Sequence, residues 1–366
     1  MEAKSVFQLM EKWAPSYLAF DWDNVGLQLG SFNKPIKRIM ITLDVLEPVV
    51  DEAIKKNADL IIAHHPLFFK SVKHIDLESS RGRIIQKLLQ HDITVYASHT
   101  NIDVANGGMN DLLCDQLGIQ SRAYLEETYA ENLYKLAVFV PMTHVEQLCD
   151  ALGDSGAGFI GNYSHCTFQS QGQGTFKPGE GTNPYIGTKH ALEKVEEMKV
   201  ETVVPESKQK RVIDAMFKAH PYEEVAYDLY PIENKGKTYG IGRIGTLSTS
   251  MSLKEFAEHV KQQLELSHVR VTGDLSKQVK KVAVLGGSGE KYIHHAKRKG
   301  ADVYITGDMT FHAAQEAWQM NLGVIDAGHY AEKIIKQEIK KYLQSHLPEN
   351  IDIFVSTTNT DPFTFI

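Results

Sequence analysis

The stretch Leu60-Ile61-Ile62-Ala63-His64-His65-Pro66 joins a short apolar run to two histidines and a proline. An apolar run of this length is typical of a strand buried on both faces of a parallel sheet. Open α/β sheets build their sites where strands end and loops begin. We therefore predict an α/β fold in which His64 and His65 stand at the edge of a functional site.

Strand and helix patterns alternate on both sides of this stretch. The series strand, helix, strand, helix, strand runs from residue 38 to residue 97 and returns between residues 281 and 327. Such alternation is typical of parallel strands joined by helical crossovers. Matching residues 243 positions apart are Arg38 and Lys281, Ala53 and Ala296, Ala58 and Ala301, and Asp59 and Asp302. We predict two related α/β units whose strand ends meet at one rim; the alternative is that any two such units look alike.

The composition changes between the two series. Residues 126–250 include a Gly-rich polar stretch, 156–187, within the order strand, helix, strands, helix, strand. That order is the ferredoxin-like arrangement, and domain insertion is tolerated at exposed loops. We predict a first α/β unit at 1–125, an inserted ferredoxin-like (α+β) domain at 126–250 and a second α/β unit at 251–366.

Length, charge and cysteine content narrow the class of protein. The 366 residues, 42% hydrophobic and 23% charged, are ordinary for a soluble globular protein of two domains. A net charge of −7 argues against nucleic-acid binding, although a bound metal would let a nucleotide substrate approach. Cys114, Cys149 and Cys166 form no CxxC pair, which fits a reducing compartment. Without a signal-peptide pattern or an apolar run of ~20 residues, we expect a cytoplasmic protein with no membrane partner.

Metal-binding residue types recur at the predicted strand ends. They are His64, His65, Asp103, His329 and Glu332, and His99 lies four positions before Asp103. His329 and Glu332, three positions apart at the start of a predicted helix, would share one face. Each carboxylate also has an ordinary structural explanation, Asp103 as an Asx turn or helix cap and Glu332 as a capping group. Together, these side chains favour a metal site over coincidence.

The ligand set indicates which metal and how many ions. Two or three histidines with one or two carboxylates suit zinc, with manganese or iron as alternatives, and are too nitrogen-rich for calcium or magnesium. Five ligands exceed what one catalytic zinc takes, so we expect two divalent ions that share a bridging carboxylate. Paired ions ~3.5–4 Å apart commonly hold a hydroxide for hydrolysis. His99 is a candidate general base or an outer partner of the ligands.

Three further motifs belong near this site or in the insert. Gly286-Gly287-Ser288-Gly289 follows a strand but lacks phosphate-loop spacing, so we predict a tight turn. Thr306-Gly307-Asp308 takes the place in the second series that the histidine pair takes in the first. Asp308 and His312 are therefore candidates to line the same cleft. In the insert, His220-Pro221-Tyr222-Glu223-Glu224 reads as a turn before a strand.

These motifs resemble the Nif-three-like family, the GTP cyclohydrolase 1 type 2 homologues. The matching stretches are Trp22-Asp23-Asn24-Val25-Gly26-Leu27, Thr42-Leu43-Asp44, Ala58 to Leu67, Ser98 to Asp103, Thr306-Gly307-Asp308 and Gly328 to Glu332. The resemblance implies a dimetal centre held by His64, His65, Asp103, His329 and Glu332, in a ring-shaped homohexamer with its sites facing inward. One departure is that many members place the last glutamate four residues after the histidine, whereas here the gap is three.

The insert resembles the small PII and CutA domains. The residues that carry this resemblance are Gly161-Asn162-Tyr163-Ser164, Gly172 to Phe176 and His220-Pro221-Tyr222-Glu223. Those domains trimerise, which implies that the insert trimerises and caps the openings of the hexamer. Nothing in its sequence fixes a ligand.

Two functions from different classes follow. The first is a metal-dependent hydrolase acting on a small nucleotide-like substrate, with a metal-bound hydroxide as nucleophile. GTP ring opening is the activity in the family's name, but the sequence has neither a P-loop nor a guanine-reading NKxD motif. The alternative is a metal-binding regulatory or scaffold protein whose PII-like insert senses a small ligand.

Overall fold

A computed structural model describes residues 1–366, which divide into two compact units. The first unit comprises Met1–Tyr129 and Tyr239–Ile366, and the second comprises Ala130–Thr238. The second unit is shorter than the stretch 126–250 that composition marks. Two long strands, Gln120–Pro141 and Tyr227–Ser252, continue across both boundaries, so no turn or loop marks them in the sequence.

Thirteen strands and eleven α-helices make up the chain. The strands are β1 (Gly26–Leu29), β2 (Arg38–Thr42), β3 (Leu60–Ala63), β4 (Thr94–Ala97), β5 (Gln120–Pro141), β6 (Thr167–Phe176), β7 (Glu193–Pro205), β8 (Tyr227–Ser252), β9 (Arg270–Thr272), β10 (Gln278–Ser288), β11 (Val303–Gly307), β12 (Gly323–Asp326) and β13 (Asp352–Val355). The helices are α1 (Ala3–Trp13), α2 (Glu47–Lys55), α3 (Ser80–Gln90), α4 (Thr100–Val104), α5 (Met109–Leu117), α6 (Val145–Ser155), α7 (Gln209–Ala219), α8 (Leu253–Gln263), α9 (Ile293–Arg298), α10 (Phe311–Gln319) and α11 (Ile335–His346). None of these helices combines the length and apolar composition that a bilayer-spanning helix needs.

One sheet of the first unit has the strand order β1-β4-β3-β2-β13. The strands β4, β3, β2 and β13 are parallel, and β1 pairs with β4 antiparallel. Every residue of β3 is buried because the sheet is covered on both faces. Met40 and Ile61 pack with α2 and α3, whereas Ile39, Leu60 and Ile62 belong to the larger core that includes α1 and α11. The apolar run at 60–63 is therefore a doubly covered strand.

The second series of the first unit forms the strand order β8-β10-β11-β12-β9. Its strands β10, β11 and β12 are parallel, and β8 and β9 flank them antiparallel. The two series repeat in detail. Asp59 accepts hydrogen bonds from the backbone N–H groups of Lys37 and Arg38, and Asp302 accepts them from Lys280 and Lys281. The α/β architecture with two sheets agrees with the fold class that the sequence indicates.

Some elements differ from the sequence-based predictions. The first helix of the second series, between β10 and β11, is divided into a 3-10 turn, Glu290–Tyr292, and α9. The helix predicted to begin at His329 begins as a 3-10 turn, His329–Ile334, and continues as α11. In a 3-10 turn, side chains three positions apart eclipse one another, so His329 and Glu332 still share one face.

The second unit has the element order β5, α6, β6, β7, α7, β8. Within it, β7 pairs antiparallel with β6 on one side and with the part of β5 from Leu133 onwards on the other. The helices α6 and α7 pack on one face of this sheet, against apolar residues that include Val138, Val140 and Val200. The Gly-rich stretch 156–187 contains β6.

Candidate metal centre

The predicted ligands lie where parallel strands of the first unit end. His64 and His65 directly follow β3, His99 follows β4, and His329 follows β12. Asp103 lies in the short helix α4 just beyond β4. The structure brings these residues into three overlapping groups, in each of which the ligand atoms lie within 4.8 Å of one another. The groups are His64, His65 and His99; His65, His329 and Glu332; and His64, Asp103 and Glu332.

Glu332 lies at the centre of the cluster. Its Oε2 atom is 3.1 Å from Nε2 of His65, 3.2 Å from Nε2 of His329 and 3.7 Å from Nε2 of His64. Its side chain is fully enclosed. Burial alone would raise the pKa of Glu332, but the hydrogen bond from His329 and the other imidazoles beside it hold it well below its usual range. The three-residue gap from His329 to Glu332 thus brings both side chains to the cluster.

Two glycines of the 286–289 motif provide the space that Glu332 occupies. A Cβ atom on Gly287 would lie 2.8 Å from Oε1 of Glu332, and one on Gly286 would lie 3.2 Å from it. Gly287 also has φ of 64°, in the left-handed region that favours glycine. We predicted only a tight turn here, whereas the motif is the end of β10 packed against the cluster.

The four histidines all present Nδ1 to an oxygen atom. The pairs are His64 with the Ser98 carbonyl at 2.9 Å, His65 with Asp44 at 2.7 Å, His99 with Asp23 at 2.9 Å, and His329 with Asp308 at 2.6 Å. Because these oxygens accept hydrogen bonds, each Nδ1 carries a proton and leaves the lone pair on Nε2. Partners of this kind fix the tautomer and the ring orientation of metal-binding histidines.

Several polar atoms of the cluster have no hydrogen-bond partner within the chain. Nε2 of His64 and Oδ1 of Asp103 are both buried without one, and they lie 3.7 Å apart. Nε2 of His65 faces Nε2 of His329 at 3.2 Å, where two lone pairs or two N–H groups would repel each other. Buried polar atoms are rarely left unsatisfied, so this arrangement needs cations or protons between its atoms. The donor set therefore fits divalent cations.

The pKa values show where protons are held when no metal is bound. Burial alone would lower the pKa of His65, but hydrogen bonds to Asp44 and Glu332 raise it to about 10. The hydrogen bond to Glu332 raises the pKa of His329 to about 9. Burial raises the pKa of Asp103, and the charge of Glu332 adds to this. Cations would displace these protons, as is usual for metal sites.

Asp308 lies at the cluster, whereas His312 does not. Asp308 has φ of 55°, an uncommon conformation for a residue other than glycine, and its carboxylate contacts His329. The side chain of His312 is exposed on α10, where it pairs with Gln315. The expectation that His312 lines the cleft was therefore wrong, because α10 turns it away from the strand ends.

Two carboxylates were missed as parts of the site. Asp23 and Asp44 both lie in the motifs that carry the family resemblance, but the sequence assigned them no role. Asp23 also accepts hydrogen bonds from the backbone N–H (3.0 Å) and the hydroxyl (2.6 Å) of Thr100. Burial alone would raise the pKa of Asp23, but hydrogen bonds from His99 and Thr100 lower it to about 2. Carboxylates at turns commonly cap helices or stabilise the turn itself. Only the hydrogen bond to a histidine of the cluster marks such a carboxylate as part of the site.

A cleft of about 1370 Å³ opens onto the cluster. Aromatic and basic side chains line it, including Phe20, Trp22, Phe69, Tyr292, Tyr330, Arg270, Lys291 and Lys333. Trp22 is 62% exposed and stands edge-on to the His99 ring at 6.0 Å. The C-terminal segment 359–365 forms part of the wall, where Thr360 donates a hydrogen bond to Asp44. The cleft can accommodate a molecule of metabolite size beside the cluster.

Comparison with known proteins identifies the family. Residues 1–362 match the family described as Duf34/NIF3 (NGG1p interacting factor 3). The chain belongs to the Duf34/NIF3 family. The resemblance that the motifs carry is thereby confirmed at the level of the family.

Relatives of this Duf34/NIF3 protein match it from end to end. A protein of Bacillus subtilis named GTP cyclohydrolase 1 type 2 homolog is 54% identical over 369 residues, covering 100% of this chain and 99% of the relative. A solved structure titled as a Bacillus cereus protein related to NIF3 has a TM-score of 0.92 and 51% identity, covering 100% of this chain and 99% of that one. The Staphylococcus aureus protein SA1388 has a TM-score of 0.81 and 31% identity, with the same coverage. The α/β NIF3 fold therefore extends over the whole chain.

Proposed function

We propose that this protein is a dinuclear-metal hydrolase that acts on a small nucleotide-like substrate. The observation that carries the proposal is the position of Glu332, whose Oε2 lies within 3.7 Å of Nε2 atoms from three histidines. Those histidines come from two different strand ends, and all three have Nδ1 occupied by an oxygen partner. Such an arrangement is typical of a preorganised metal centre.

The overlapping groups favour two cations that share Glu332. His64, Asp103 and Glu332 would hold one ion, and His65, His329 and Glu332 would hold the other. We propose zinc for both, with manganese or iron as alternatives, because the set mixes imidazole with carboxylate.

We also propose that His99 is a ligand rather than a general base. Its ligand atom lies within 4.8 Å of those of His64 and His65. Its Nδ1 is held by Asp23, so Nε2 is the atom free to bind the ion of the His64 group.

Each part of the site has a chemical role in this proposal. Bound cations would supply Lewis acidity to activate water and the bond to be hydrolysed. Asp23, Asp44 and Asp308 keep the histidine protons on Nδ1 and so keep Nε2 available. In the cleft, exposed aromatic rings offer stacking surfaces, and Lys291 and Lys333 can pair with phosphate oxygens. These features support a nucleotide-like substrate, as does the name of the Bacillus subtilis relative.

The assembly is a further part of the proposal. We propose a ring-shaped homohexamer whose second unit, a ferredoxin-like domain of the PII/CutA type, trimerises to cap the ring. The element order of the second unit supports this, as do its exposed apolar side chains, among them Tyr163, Phe168 and Leu192. We also propose a cytoplasmic location, which the three free cysteines support.

The decisive experiment combines metal analysis with a substrate panel. We expect the purified protein to contain two divalent ions per chain and to hydrolyse a member of a panel of nucleotides and phosphoesters. His65→Ala should bind one ion fewer, and its turnover should fall at least ~100-fold. The substitution removes a ligand and also the imidazole that contacts Glu332. His74→Ala, which changes an exposed histidine outside the candidate ligand groups, is the matched control.

The same experiment distinguishes the regulatory alternative. A second cleft, in the second unit, is the observation that favours that alternative. Two bound ions without turnover of any substrate would favour a metal-binding regulator or scaffold. Absence of metal from the native protein, and failure to take it up, would contradict both functions.

A further inference from the structure

The sheet of the second unit has one face that its helices do not cover. Side chains alternate along β5 and β7, so Val138, Val140 and Val200 face α6 and α7 while Phe139 and Lys199 face the other way. A cleft of about 630 Å³ lies on that other face. All its lining residues belong to the second unit, and none of them is a residue of the metal cluster.

Glycines on β6 create the floor of this cleft. Positions 170, 172, 174 and 176 share one face of the strand, and two of them are glycine. Gly172 pairs directly with Glu197 of β7, so that Glu197 points to the same face. A Cβ atom on Gly174 would lie 2.1 Å from Oε2 of Glu197. The missing side chain is therefore what lets the carboxylate lie across the strand.

Glu197 is a buried carboxylate with one oxygen available. Only 9% of the residue is exposed. Its Oε1 accepts a hydrogen bond of 2.9 Å from the Tyr222 hydroxyl, and that is the only hydrogen bond it receives. A buried charge is costly unless it is paired. Oε2, at the floor of the cleft, is thus positioned for a donor that comes from outside the chain.

Aromatic rings surround this carboxylate. The ring centre of Tyr222 is 5.9 Å from that of Phe176 and 6.3 Å from that of Tyr185. Phe139 lines the same cleft. Faces of aromatic rings attract cations, and the attraction grows when water is excluded.

The charges of the lining favour a cation over an anion. Three glutamates line the cleft, Glu197, Glu223 and Glu224, against the lysines at 177 and 199. Lys199 is paired with Glu201 at 3.4 Å, which removes most of its attraction for an anion. The side-chain groups suited to a metal ion all lie in the first unit, so an inorganic cation is not indicated here.

We propose that this cleft binds a small organic cation, a primary ammonium or guanidinium group carried on an apolar or planar body. The charged nitrogen donates to Oε2 of Glu197, and the body packs among Phe139, Phe176 and Tyr222. The proposal does not depend on hydrolase activity, because no residue of the cleft belongs to the metal centre.

The test titrates tyramine and agmatine into the full-length, metal-loaded protein and follows the heat of binding. We expect saturable binding of at least one of them, at one site per chain. The anion 4-hydroxyphenylacetate, which has the same ring as tyramine, should bind at least tenfold more weakly.

Two variants locate the site. Glu197→Gln keeps the shape and the bond from Tyr222 but removes the charge, so the affinity should fall about tenfold. Glu146→Gln changes an exposed glutamate of α6 that does not line the cleft and should bind like the unmodified protein. The proposal is overturned if neither cation binds, if 4-hydroxyphenylacetate binds as well as tyramine, or if Glu197→Gln leaves the affinity unchanged. Metal content and turnover, measured on the same samples, should not respond to Glu197→Gln.

Discussion

At the scale of single residues, the metal centre depends on which nitrogen of each histidine is free. Asp44 and Asp308 fix the rings of His65 and His329, and the two Nε2 atoms then meet at 3.2 Å. Without a cation, hydrogen bonds to Glu332, Asp44 and Asp308 retain protons that an isolated imidazole would release near neutral pH. The histidine pair is therefore part of the candidate metal centre and a source of pH dependence in the metal-free protein.

The metal-free protein should lose stability as the pH rises above neutrality. The pKa values of His65 and His329 are raised to about 10 and about 9, against 6.5 in the unfolded chain. Their contribution is therefore complete below pH ~6.5 and is lost as the pH passes through about 9 to 10. The measurement is the free energy of unfolding of the chelated protein between pH 6 and 10. A His65→Gln variant should show a shallower decline, and an equal slope in both proteins would contradict the assignment.

At the scale of elements, glycine-bearing strand ends make room for buried carboxylates. The end of β10 lies against Glu332 in the first unit, and β6 lies against Glu197 in the second. In both places the glycine matters because of what occupies the space of the absent side chain. Glycines in a sequence indicate a turn, but they do not show which carboxylate occupies the space beside them.

Substituting Gly287 should damage the metal centre more than the fold. In Gly287→Ala the new Cβ would lie 2.8 Å from Oε1 of Glu332, at a residue whose φ of 64° already disfavours alanine. We expect Glu332 to shift and metal affinity to fall at least tenfold, with a loss of stability of about 1 kcal/mol. Competition with a chelator and thermal unfolding measure the two effects. Gly181→Ala, where nothing lies near the new Cβ, is the control, and equal metal affinity in both variants would refute the role of Gly287.

At the scale of the molecule, the C-terminal part of the chain pairs with its N-terminal part in the first unit. Strand β13 joins β2, and the segment after it is tied to Glu52 of α2 by hydrogen bonds from Ser356, Thr357 and Thr358. The segment then reaches the metal site, where Thr360 contacts Asp44. The position of this part of the cleft wall thus depends on hydrogen bonds to Glu52, which does not line the cleft.

Removing the charge of Glu52 should release this segment. Burial alone would raise the pKa of Glu52, but hydrogen bonds, the first from Lys56, lower it, so the carboxylate is ionised at neutral pH. Glu52→Gln weakens several charge-assisted bonds, and we expect a loss of about 2 kcal/mol in stability. Hydrogen exchange should become faster at residues 356–360. Glu349→Gln, at an exposed position, serves as the control, and unchanged exchange in Glu52→Gln would show that the segment is held by other contacts.

The sequence determined the α/β series, the strand ends and the residue types that stand there. Local patterns suffice for these because a doubly covered strand must be apolar and a loop after it is free to carry histidines. The correspondence between Asp59 and Asp302 could also be recognised in the sequence. Each carboxylate accepts a hydrogen bond from the backbone at the start of a neighbouring strand.

Tertiary structure alone decided which of these residues meet. His65 and Glu332 are 267 positions apart and lie at 3.1 Å. No local pattern reports such a distance, because it is set by how two sheets pack against a shared core. The same holds for Asp23 beside His99, for Gly287 beneath Glu332 and for the exclusion of His312. Periodicity records which side of an element is buried, whereas the identity of the neighbour on that side follows only from the complete fold.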